Sequence, residues 1–142
     1  MQPLRAALEA HRPQLAAAAQ RVLDAWEVDE DGYDEEFGTG GACDAISRVF
    51  GNTLQFTYTD AGGRTRDAGI VDGGQDGDDH AWLVVFDDYE IYAVDLPAAV
   101  YEVGGGYNWT KRAGVRVRPS DIVIDPLVRS DFVFDESLGR RR

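Results

Sequence analysis

Between residues 3 and 26 the apolar positions Leu4, Leu8, Leu15, Val22 and Trp26 recur near helical spacing within an Ala- and Leu-rich stretch. The spacing predicts an amphipathic helix, or two, because Pro13 interrupts a helical hydrogen-bond ladder and either kinks it or opens a new helix. A second helix is predicted from about Ala42–Cys43 to Phe50, beginning beside glycines and closed by Gly51-Asn52, which tolerate the left-handed conformation. The pattern then turns strand-like over 54–59, 65–71, 80–86 and 89–95, and again near 115–117, 122–124 and 132–134. Turn-forming residues separate these runs at 60–63, at 72–79 (DGGQDGDD) and at Asp87-Asp88, while the acidic run 28–36 and the glycines of 38–41 form a loop.

Helices followed by strands imply an α+β fold, with an antiparallel β-sheet packed against the helices. The chain has 142 residues, the size of one compact domain. Within it we read an N-terminal helical segment (1–27), a core (38–103) and a β-rich C-terminal extension (104–142).

The strands 80–86 and 89–95 carry the most specific expectation. If they pair antiparallel about Asp87-Asp88, facing residues have numbers adding to 175, which sets His80 opposite Asp95, Trp82 opposite Ala93 and Val84 opposite Ile91. Directly opposed Cβ atoms lie roughly 4.5–5.5 Å apart, within reach of a carboxylate that orients an imidazole. A histidine capped by a nearby acid is common, so the third member matters. Cys43 is the only cysteine, preceded by Gly40 and Gly41 at a helix start, where unpaired N–H groups and aligned peptide dipoles favour a thiolate.

Nucleophile, base and orienter are the parts of covalent acyl transfer: Cys43 attacks, His80 moves the proton and Asp95 fixes the imidazole. The Cys43 amide is a natural oxyanion donor. A lone cysteine is more commonly a small buried hydrophobe; the glycines before it and the histidine paired with an acid favour the catalytic reading.

Charge and composition narrow the rest. The 14 Lys and Arg against 26 Asp and Glu leave a net charge of −12, which repels a phosphate backbone and excludes nucleic acid as a first choice of partner. The one basic cluster, Arg140-Arg141-Arg142, reads as a frayed, solvated tail. No run reaches the roughly eighteen apolar residues of a membrane span, and one cysteine makes no internal disulfide, so a cytoplasmic protein is expected. The oligomeric state is open.

No cofactor or metal is expected. In the loop 72–79 a calcium-hand count places Gly74 at a ligand position and Leu83 where a bidentate Glu belongs; His11, His80 and Cys43 lack zinc-ligand spacing. Asp76, Asp78 and Asp79 either favour the imidazolium form of His80 and rim the site with negative charge or belong to a solvated loop. The segment 104–109 (GGGYNW) is either a glycine flap carrying Trp109 over the site or a long connection.

The Gly-Ala-Cys-Asp of 41–44, the His-Ala-Trp of 80–82 and the Val-Asp-Leu-Pro of 94–97, in the order Cys, His, Asp, resemble the transglutaminase-like branch of the papain-like cysteine enzymes. The intervals, 37 residues from Cys43 to His80 and 15 from His80 to Asp95, are similar to those of that superfamily, over roughly residues 38–101. The resemblance implies a nucleophile helix packed on an antiparallel sheet and chemistry through a thioester on Cys43: a cysteine peptidase or amide hydrolase, or else a transglutaminase, acyltransferase or deamidase. Its substrate would be a peptide, a protein or a small amide or ester. Many relatives place an oxyanion-hole glutamine upstream of the cysteine. Residues 28–42 contain neither Gln nor Asn, which leaves Gly41, Gln75, Trp82 and Trp109 as candidate oxyanion or substrate residues. The competing reading from another class is a non-catalytic acidic module, of inhibitor or immunity type, that binds a basic partner.

Overall fold

The computed structural model describes residues 2–25, 33–34, 38–39, 42–75, 81–97, 100, 115–128, 132–134 and 138–141; at 33–34, 38–39, 42–44, 72–75, 81, 132–134 and 138–141 the description is of the backbone alone. The architecture is mixed α+β. Among the described residues three α-helices, α1 (Pro3–Ala10), α2 (Arg12–Ala25) and α3 (Ala42–Thr53), accompany ten strands: β1 (Tyr33–Asp34), β2 (Gly38–Thr39), β3 (Thr57–Thr59), β4 (Thr65–Asp67), β5 (Gly69–Gln75), β6 (Ala81–Phe86), β7 (Ile91–Asp95), β8 (Val123–Pro126), β9 (Phe132–Phe134) and β10 (Leu138–Arg141). Six strands form the main sheet in the order β8-β7-β6-β5-β10-β9, while β1-β2 and β3-β4 make separate two-stranded pairs.

The N-terminal pattern resolves into two helices meeting at His11, with Pro13 in the first turn of α2, where its missing N–H costs no hydrogen bond. Arg12 fixes this corner by donating from Nη1 to the carbonyl of Pro119 at 3.1 Å and to that of Ile122 at 2.5 Å. Leu4, Leu8, Leu15, Ala19, Val22 and Leu23 enter one core with Ile46, Phe50 and Leu54 of α3 and its continuation, and with Leu83, Val85, Tyr92 and Val94 of the sheet. Strand alternation therefore turns the odd residues of β6 and the even ones of β7 toward the helices. The other face carries a second apolar cluster of Trp82, Val84 and Ile91, bordered by Phe86, Ala93 and Leu127.

Several expectations need correction. The run 54–59 is not one strand: α3 continues through Gly51 to Thr53, and only Thr57–Thr59 pairs, with β4. The run 65–71 divides at Ala68 into β4 and β5. Asp72, Gly73, Gly74 and Gln75, expected in a loop, continue β5 because β6 pairs with Asp72–Gly74 on one side and β10 with all four on the other, which outweighs the poor strand propensity of Gly and Asp. The sheet is not wholly antiparallel, since β10 runs parallel to β5. Arg140 and Arg141, expected in a frayed tail, belong to β10 and pair with both β5 and β9. The segment 115–117 is irregular, whereas 123–126 and 132–134 are strands.

Candidate active site

The hairpin of β6 and β7 forms, but in a different register. Its pairs are Leu83 with Val94, Val84 with Ala93, Val85 with Tyr92 and Phe86 with Ile91, so facing numbers add to 177 and not 175. The reason is the role of Asp87. Its Oδ1 accepts the amides of Tyr89 at 2.8 Å and Glu90 at 2.7 Å, and its own N–H donates to the Glu90 carbonyl at 2.9 Å. Asp87 is thus the first residue of the turn, which centres on Asp88-Tyr89, and the carboxylate substitutes for a backbone acceptor.

The shift of two undoes the expected oppositions of Trp82 with Ala93 and Val84 with Ile91, and with them the premise that set His80 against Asp95. Continued by one pair, the observed count brings Asp95 across from Trp82. A shift of two, unlike a shift of one, leaves every residue on its face. Asp95 closes β7, faces Val123 of β8 on its other side and accepts the amide of Leu96 at 2.8 Å through Oδ1. By alternation with Val94, which packs toward the helices, Asp95 belongs to the opposite face.

Cys43 is the second residue of α3. The far end of that helix can be followed. Leu54 is buried in the helix-side core, and Tyr58, four residues on, donates its hydroxyl to Asp87 Oδ2 at 2.5 Å. The last turn of α3 itself lies against the sheet at Leu83 and Ile70, whose side chains are 3.7 and 3.8 Å from where a Cβ on Gly51 would stand.

Trp82, a candidate substrate residue, is 8 % exposed and packs with Val84 and Ile91. Gln75 is the last residue of β5, paired with Arg141. His80, Gly41 and Trp109 lie outside the described residues, as do Asp76, Asp78, Asp79 and the 104–109 segment. Among the described residues no cluster of His, Cys, Asp and Glu is arranged to hold a metal ion, and no helix is long and apolar enough to cross a membrane.

A feature that the linear pattern did not reveal is an open cleft of about 990 Å³ beside the second half of α3. Its lining includes Ser47, Gly51, Leu54, Asp67, Ile70 and Leu83. The signal for it was present but weak: Gly51 of α3 and Ala68 between β4 and β5, both in its lining, are small residues.

The electrostatic singularities lie at the hairpin turn. Burial works against ionisation of Asp87, but the Tyr58 hydroxyl, the two turn amides and the charge of Arg66 outweigh it and hold the carboxyl below its usual range. Tyr58 is pushed well above the usual phenol value, first by burial and then by its bond to Asp87. No protein-family model, curated protein or solved structure matches the chain.

Proposed function

We propose that this protein is a thiol-dependent acyl-transfer enzyme on a papain-like or transglutaminase-like core, acting as a cysteine peptidase or amide hydrolase. The observation that supports the reading is that Cys43 stands in the first turn of α3, with Asp95 closing β7 of the sheet on which that helix packs.

The chemistry follows from the residue types. Thiolate at Cys43, favoured by the N-terminal peptide dipoles of a helix of 12 residues, adds to a carbonyl carbon. The Cys43 N–H is available to the oxyanion. Imidazolium at His80 gives its proton to the departing amine, leaving a thioester; the neutral imidazole then deprotonates water, which releases the acid and restores the thiol. Asp95, at the end of β7, has in this reading the role of supporting the imidazolium charge.

A vinyl-sulfone probe tests the reading. Wild type is expected to label at Cys43 with a rate that rises through an apparent pKa below that of a free thiol, and His80→Ala is expected to label much more slowly. Equal labelling of the two would overturn it. Release of acid or transfer to an added primary amine then separates hydrolase from transferase.

A further inference from the structure

We draw no further inference here: the strongest candidate, the open cleft between the second half of α3 and the β4–β5 segment, carries none, because nothing among the described residues shows what occupies it.

Discussion

The hydroxyl of Tyr58 donates to Asp87 Oδ2 at 2.5 Å, while Asp87 Oδ1 takes the amides of Tyr89 and Glu90. One buried carboxylate thereby sets the register of the β6–β7 hairpin and ties it to the chain leaving α3. The pair is 29 residues apart in sequence, and neither partner has significance without the other.

Tyr58→Phe is expected to lower stability by about 1–3 kcal/mol, because it removes a hydrogen bond to a charged, buried group. Urea unfolding at neutral pH measures it. The pH dependence has a definite sign. The folded-state pKa of Asp87 is depressed, so its contribution is present above the ordinary carboxylate range and is lost as pH falls through the lower folded value. The difference between wild type and Tyr58→Phe is therefore expected to shrink in acid, and a difference that grows on acidification would contradict the ion-assisted bond.

The register is directly testable by crosslinking. In a Cys43→Ser background, cysteines at Val84 and Ala93, which face each other, are expected to form a disulfide on refolding in air, whereas cysteines at Trp82 and Ala93 are not. Thiol titration and non-reducing mass spectrometry distinguish the two.

Gly69 is required by its neighbour across the sheet. A Cβ at that position would lie 2.5 Å from Phe86 Cζ, with two further ring atoms inside 3.0 Å, so the ring lies over the bare backbone of its partner. Gly69→Ala is expected to cost about 1–3 kcal/mol through overpacking. Combining it with Phe86→Leu should recover part of that loss, a non-additivity that thermal or chemical denaturation of the four chains would reveal.

Glu90 caps a helix far from it in sequence. Its carboxylate accepts the amides of Leu4 at 3.0 Å and Arg5 at 3.1 Å, at the positive end of α1, and the hydroxyl of Tyr92 at 2.6 Å. Glu90→Ala is expected to destabilise the protein by roughly 1–2 kcal/mol, in line with the loss of an N-terminal cap. Amide exchange should accelerate first in α1, and unchanged exchange there would contradict the capping role.

For the proposed chemistry, Cys43→Ser and His80→Ala are expected to abolish acyl-enzyme formation, whereas Asp95→Asn, which removes only a supporting charge, is expected to slow it less than His80→Ala does. Single-turnover acylation followed by mass spectrometry gives the order; an Asp95 variant as inert as the histidine variant would contradict the supporting role.

The pattern of apolar residues by itself determined the class of fold, the three helical stretches, the break near Pro13, the β3–β4 turn and the existence of the β6–β7 hairpin. These depend on periodicity and local turn chemistry, which neighbours in sequence supply. It also placed Cys43 at a helix start. Tertiary structure decided what local signals leave degenerate. The acidic turn contains Asp87 and Asp88 in succession, and either could lie at its centre; the choice fell to Asp87 as the first turn residue, whose second oxygen finds Tyr58 from a distant strand, and the pairing of β6 with β7 moved by two positions. Likewise Asp72–Gln75 and Arg140-Arg141 read as loop and tail until each supplied the other's missing ladder partner. The cleft beside α3 is lined jointly by that helix, the chain that follows it, the β4–β5 segment and Leu83 of β6, a juxtaposition that no single segment encodes.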